Sequence, residues 1–493
     1  MLNVILWLPL AVGLLCLLLP RRFAAPVAVG GALAVLVQAV GLAADFDTGV
    51  AGLQHAVNES WIPDLGVRYM LGVDGISVFL VVLTALLWFG ATFFSAWRIS
   101  DRPRTYYFLL GLAETATLGA FLAQDLLLFV LFFDLMLIPF FFLIGSFGTG
   151  DRVQATTKMI VYTLVGSLLM LVGAIATAIL ASDQVGELSF SLADLRANVL
   201  SSGSQDWIFF FFAAAFLVKM PAVPIHGWMP DAYRACPLPV LVLLSGVLSK
   251  VGAYGFLRIV LPLYPDATVR FQELIMVVAV AGILYGSVMA FTQTNVRLIA
   301  GYSSIAQLGF ITLGIFALRP DGADGAVLQM VNHGLAVGAI FLIIALIFER
   351  AGTEDLRELG GMAMRAPVLA ALFLIVTLAT LAMPGSANFI GEFYILNGAF
   401  QAKIAYALVA SIGVALAAFY AIRLYQRTMH NRLPDGIVSR EISLRDGMAL
   451  GALVACIVGL ALYPGLILER GEASVESATA AFQEEGSTVA RAP

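Results

Sequence analysis

Two lysines and two carboxylates stand inside long apolar runs. Lys219 lies in FFFFAAAFLVKMPAVPIHGW and Lys250 in VLVLLSGVLSKVGAYGF. Asp134 lies in LLLFVLFFDLMLIPFFFLIG and Glu392 in MPGSANFIGEFYILNGAF. A charge at the centre of a bilayer costs from ~2.5 to more than 10 kcal/mol, so such residues are partnered and serve ion or proton paths. Two of the four sit beside proline. Pro221 and Pro224 follow Lys219 directly, and Pro384 precedes Glu392 by eight residues. Proline breaks a helix and frees backbone carbonyls, which a membrane tolerates only where protein or water lines the break. A buried lysine can titrate near neutral pH, and a carboxylate beside it makes a switch. Protonating Asp134 would change how firmly Lys219 holds its own proton.

Each residue also has a structural reading. Asp134 can be a neutral carboxyl bonded to a helix carbonyl, Glu392 a satisfied carboxylate at a helix break, and the lysines can snorkel toward an interface. Snorkelling is weakest for Lys250, whose apolar flanks are about equal in length. Glu114, in YYFLLGLAETATLGAF, His226 after the proline pair, and His333, in GAVLQMVNHGLAVGAIF, are possible proton relays, with bonded core residues as the alternative. Asp125, Asp74 and Arg98 fall near the ends of apolar runs and read as interfacial.

The elements that must hold these groups are membrane helices. The chain has 493 residues, 61% hydrophobic and 12% charged, against about 25% charged in soluble domains. Apolar runs of about 20 residues recur along it. Fourteen spans are expected, near 2–20, 24–44, 75–97, 106–123, 126–146, 157–182, 207–229, 238–261, 273–292, 298–318, 326–348, 366–399, 404–424 and 447–467, the seventh and twelfth broken. The N-terminal run carries its charges after it, as a retained helix does and a cleaved signal does not. The connections alternate in charge: seventeen Lys and Arg fall on one side and seven on the other. The excess marks the cytoplasmic side and puts both termini outside. The expected fold is therefore an all-α polytopic membrane protein, a single transmembrane domain over 1–468 with a polar C-terminal tail at 469–493. Residues 45–74, 183–206 and 425–446 read as the longest loops. Paired broken helices are the sequence mark of two inverted five-helix repeats around an ion site, here about 106–261 and 273–424.

Composition excludes other classes. Cys16, Cys236 and Cys456 are isolated, so neither a zinc nor an iron–sulfur site is expected, and no metal is assigned. No P-loop or dinucleotide fingerprint occurs, and no basic patch suits nucleic acid. From the residues alone the function is proton or Na⁺ movement, with the driving reaction unspecified.

The segments LVKMPAVPIHGWMPDAYRACPLPVLVLLSGVLSKVGAYGFLR and QTNVRLIAGYSSIAQLGFITLGIFA resemble the antiporter-like subunits of the proton-pumping NADH:quinone oxidoreductase, respiratory complex I. VDGIS, LQMVNHGLAVGAIFLIIALIFER and LAMPGSANFIGEFYILNGAFQ are similar to the M type, the mitochondrial chain-4 type. The resemblance covers about residues 70 to 430. It implies that Asp134 and Lys219 form the family's essential pair, that Lys250 is its central lysine, Glu392 its terminal-channel glutamate and His333 its middle histidine, all on a hydrated axis at the membrane midplane. It further implies that this chain binds no cofactor. NADH, FMN, iron–sulfur clusters and quinone belong to partner subunits, and the chain's neighbours are other membrane-arm subunits and the lipid bilayer. Departures from the family pattern fall at Asp134, where a glutamate is usual, at Tyr233 and Ala235 in PDAYRACP, which replace a histidine and a glutamate, and at Gln307, where a histidine is frequent. They remove titratable groups near the cytoplasmic uptake route and the axis. The rival readings are a subunit of a multisubunit Na⁺/H⁺ antiporter, the membrane arm of a related hydrogenase, and a structural member of the arm that does not pump.

Overall fold

The computed structural model describes residues 1–50, 52–434, 437 and 439–489. Ten helices among them are long and apolar enough to cross a membrane. Leu2–Leu18, Pro103–Leu122, Ser202–Lys219 and the pair Pro367–Thr380 and Ala387–Ala402 account for the remaining expected spans. Fourteen membrane segments are thus present where the sequence places them.

Three of them form the centre. Leu238–Leu263, Val296–Phe316 and Pro320–Ala351 are buried on nearly every face, whereas Ile404–Met429 and Arg21–Ala44 present most of their surface outward. A helix apolar all round can sit at the middle of a bundle, and its few polar residues then face protein rather than lipid. Glycine sets the closest approaches. A Cβ on Gly325 would lie 2.6 Å from the amide nitrogen of Ile395 and 2.9 Å from the carbonyl oxygen of Gly391, so Pro320–Ala351 and Ala387–Ala402 meet backbone to backbone, as small residues permit in membranes.

Both predicted breaks are present. Ser202–Lys219 ends at the lysine and resumes as the short helix Met229–Ala235. The freed carbonyls are satisfied locally: Trp228 Nε1 donates to the carbonyl of Val218 at 3.0 Å, and the amide of Ala222 donates to Leu217 at 2.8 Å. The twelfth span stops at Thr380 and restarts at Ala387. Between them Ala382 and Gly385 are left-handed, with φ of 53° and 93°, and the Ser386 hydroxyl caps the new helix at the amide of Phe389.

Three features were not read from the sequence. Within residues 45–74, expected as a loop, Gln54–Ile62 (β1) and Val67–Val73 (β2) form an antiparallel hairpin. Its turn needs Gly66, left-handed at φ 64°. Residues expected as a polar tail belong to a helix, Gly465–Val489. It packs on the loop before the third span, where the amide of Gly75 donates to Ser474 Oγ at 3.0 Å. The eighth span is not a uniform α-helix. It carries π-helical turns at Leu244–Leu248 and Phe256–Val260, on either side of Lys250.

The residues read as interfacial are each held by protein partners. Asp74 pairs with Arg258 at 2.7 Å, both side chains being at most 9% exposed. Arg258 also donates to Gln124 Oε1 at 2.5 Å. Arg98 bridges Glu349 at 2.5 Å and Asp446 at 2.9 Å. Asp125 is the N-cap of the fifth span, accepting from the amides of Leu127, Leu128 and Arg68 at 3.0 Å each. Burial pushes the Asp125 carboxyl above its usual range, against the pull of those amides.

Candidate functional site

Lys219 is the last residue of its half-helix, where the unpaired carbonyl end favours a cation. Its Nζ does not close directly on Asp134. It donates to the carbonyl of Phe133 at 3.3 Å and stands 4.3 Å from the centre of the Phe133 ring. Asp134 is the next residue of the fifth span, close enough for the two charges to act on each other. Its Oδ1 is buried without a hydrogen-bond partner. The regular α-helix is interrupted just beyond, at Met136, three residues before Pro139. The aspartate is partly exposed in an apolar groove lined by Leu131, Ile138 and Phe142.

Past Lys219 a cavity opens among Met136, Phe140, Trp228, Tyr233 and Ser249. It holds about 20 Å³ of space for water, enough for one molecule. Ser249 precedes Lys250, which is fully buried. Lys250 Nζ donates to the Ser245 carbonyl at 2.8 Å and to Ser249 Oγ at 3.3 Å. The Ser245 hydroxyl meets that of Ser304 at 3.2 Å, which carries the polar line onto the Val296–Phe316 helix.

One turn further on that helix stands Gln307. Its Nε2 donates to Glu392 Oε1 at 2.8 Å, and its Oε1 accepts from Gln329 Nε2 at 2.7 Å. Asn332 donates to the carbonyl of Ala387 at 2.8 Å, at the start of the half-helix that bears Glu392. Glu392 Oε2, both side-chain polar atoms of Asn388, and His333 Nδ1 are buried without partners. His333 borders a second small cavity with Ser303, Thr377 and Tyr420.

The structure thus buries Lys219, Lys250, Glu392 and His333 in the bundle. Hydrogen bonds run from Lys250 to Ser304 through Ser245 and from Gln307 to Glu392, and among the described residues no bond crosses the steps from Lys219 to Ser249 or from Ser304 to Gln307. Glu114 and His226 are not on these hydrogen-bonded stretches. Glu114 is 3% exposed with Oε1 unpartnered, and among the described residues no charged group acts on it. His226 sits in the broken segment against the ring of Tyr285, at 5.0 Å. The prolines Pro221, Pro224 and Pro384 all lie in the breaks. Gln329, Asn332, Ser245, Ser249 and Ser304 were missed by sequence reasoning. The signal was present: Gln329, Asn332 and His333 repeat at helical spacing on an otherwise apolar run, as do Ser245 and Ser249. Among the described residues no cluster of His, Cys, Asp and Glu is arranged to hold a metal.

Residues 123–417 match the family described as NADH:quinone oxidoreductase/Mrp antiporter, TM. A NADH-quinone oxidoreductase subunit M from Rhodobacter capsulatus is 36% identical over 485 residues, 95% of this chain and 94% of that one. Among solved structures, a chain of respiratory complex I from Thermus thermophilus with bound NADH aligns with a TM-score of 0.90 at 30% identity, covering 98% of this chain and 99% of that one. A chain of the Mrp complex from Dietzia sp. DQ12-45-1b shares the fold, with a TM-score of 0.83 at 22% identity over 97% of each.

Proposed function

The chain belongs to the family of NADH:quinone oxidoreductase and Mrp antiporter transmembrane subunits, and on that premise we propose how it moves protons. It is a proton-translocating integral membrane subunit of an NADH-quinone oxidoreductase, working among the other subunits of the membrane arm. Redox chemistry on NADH, FMN, iron–sulfur clusters and quinone is carried by partner subunits, and this chain supplies proton sites alone. The chain forms one transmembrane unit over 1–468, its two repeats, about 106–261 and 273–424, each contributing a broken helix to the axis. Its basic loops face the cytoplasm and both termini face the periplasmic side of the cell membrane.

One observation carries this reading: buried polar groups, Lys219, Lys250 and Glu392 among them, stand inside an otherwise apolar bundle. A proton taken up from the cytoplasm charges Lys219 while Asp134 is ionised. When a change in the neighbouring subunit neutralises Asp134 or moves it away, Lys219 loses that attraction and passes its proton to Lys250. From there it reaches Glu392 by way of the hydroxyls and amides between them, and leaves on the far side. The break after Lys219 gives its ammonium a flexible anchor and free carbonyls to lean on. The break before Glu392 does the same for the carboxylate.

Asp134→Asn and Lys219→Ala, each made in the whole complex, are expected to lower proton pumping coupled to NADH oxidation at least tenfold while the complex still assembles. A tenfold loss corresponds to about 1.4 kcal/mol in the rate-limiting step. Unimpaired pumping in both variants overturns the reading.

A further inference from the structure

Lys219 and Lys250 must exchange a proton, yet no bond joins them. Lys219 opens onto the small cavity beside Trp228. On the far wall of that cavity stands Ser249, whose Oγ accepts from Lys250 Nζ at 3.3 Å. Tyr233 and Thr163 are the other hydroxyl-bearing residues that line the cavity. Tyr233 is 1% exposed.

Resting on the proton-transfer reading above, we propose that the Ser249 hydroxyl is the relay between the two lysines, with one water in the cavity completing the bridge and Tyr233 orienting that water. Four features of the structure converge on it. The cavity has space for a single water, and a water needs two to four polar partners to stay. Lys219, Tyr233, Thr163 and Ser249 all border it. Ser249 currently donates to the Ser245 carbonyl at 2.9 Å, so its proton is parked one rotation away from Lys250. Finally, the π-helical turn at Leu244–Leu248 presents that Ser245 carbonyl to two side chains at once, Ser249 Oγ and Lys250 Nζ. Single π-turns of this kind recur at functional sites.

The transfer balances without any other reactant. The Lys219 ammonium gives a proton to the water, and the water gives one to the Ser249 oxygen. The Ser249 hydroxyl has meanwhile swung from the Ser245 carbonyl to the uncharged Lys250 amine and released its own proton there. Water and serine end as they began, and the positive charge has moved from one lysine to the next. A hydroxyl suits this role because it donates and accepts through one atom and rotates freely. Tyr233 takes no proton in the step. It holds the water's lone pair or proton in line, which makes it a positioning residue.

The test uses the whole complex in membrane vesicles, reading proton pumping against NADH oxidation. Ser249→Ala is expected to cut pumping roughly tenfold, the effect of one lost hydrogen bond in a buried site. Ser249→Thr, which restores the hydroxyl, is expected to recover most of it. Tyr233→Phe keeps the ring and is expected to give a smaller loss, with Tyr233→His recovering it. Lys219→Ala is run beside them. If it abolishes pumping while Ser249→Ala does not alter it, the relay is wrong and the proton-transfer reading stands. If Lys219→Ala also leaves pumping intact, the reading beneath it falls as well. Equal impairment in Ser249→Ala and Ser249→Thr would mean lost packing rather than a lost relay, and overturns the proposal. Should Ser249→Ala fail to assemble, the contrast between Tyr233→Phe and Tyr233→His decides in its place.

Discussion

A carboxylate buried in a bundle with one oxygen unpartnered is a costly arrangement, and Glu392 is held in it by the amide of Gln307. That amide is itself fixed by Gln329 on the facing helix. The pair therefore does for Glu392 what a charged partner does elsewhere: it stabilises the carboxylate without contributing a second titrating group. This gives the departure at Gln307 a physical meaning. A glutamine keeps a donor on Glu392 but removes a proton stop from the line. Gln307→Leu leaves the Glu392 carboxylate without that donor and strands Gln329, a cost of about 1–3 kcal/mol for an unsatisfied buried group. Pumping by the whole complex is expected to fall about tenfold, whereas Gln307→His, which can still donate, is expected to retain most of it. Wild-type pumping in Gln307→Leu would show that the bond to Glu392 carries no function.

The elements that hold these residues follow two different kinds of sequence signal. Helix number and the two breaks were legible because they depend on run length and on proline, both local properties. The π-turns beside Lys250 were not, because they depend on how the eighth span packs against its neighbours. The hairpin of β1 and β2 was missed because its alternation is short and sits between stronger apolar signals. Of the site, the charged residues stood out against hydrocarbon, while the neutral amides and hydroxyls that join them did not: an isolated Gln or Ser in an apolar run has many satisfied uses. The same logic makes a glycine prediction possible only with the structure. Gly325→Ala puts a methyl group 2.6 Å from the amide nitrogen of Ile395 and 2.9 Å from the carbonyl of Gly391. Backbone cannot rotate aside as a side chain can, so the half-helix carrying Glu392 must shift. The expected cost is about 1–3 kcal/mol, as for overpacking of a core. It should appear as a lower melting temperature of the detergent-solubilised subunit, and an unchanged melt would mean that this helix pair is looser than its contact distances imply.

At the scale of the molecule the question is what ties the parts of the chain around its two broken helices together. Hydroxyls link the Leu238–Leu263 and Val296–Phe316 helices through Ser245 and Ser304. A second link lies at the end of the bundle where the basic residues collect. Arg297, at the start of the tenth span, is clasped on one side by Glu354, whose Oε1 accepts from its Nε at 2.8 Å. On the other side its Nη1 donates to the carbonyls of Tyr233, Arg234 and Cys236 at 3.3, 3.2 and 2.5 Å. Those carbonyls end the short helix Met229–Ala235, where a cation is favoured by the helix dipole. One planar guanidinium thus ties the loop that carries Tyr233 to the loop after the eleventh span, a task a lysine's single ammonium cannot reproduce. Arg297→Ala leaves Glu354 half-buried without its partner and frees three carbonyls, a loss on the order of 3 kcal/mol. The exposed Arg234 beside them then becomes a reporter. Trypsin added to inverted vesicles should cut the Arg297→Ala chain after Arg234 many times faster than the wild type, and should spare both in right-side-out vesicles. Equal resistance of the two chains would show that the clamp adds nothing to the loop's stability. Cutting in right-side-out vesicles would reverse the proposed orientation, which places this loop in the cytoplasm.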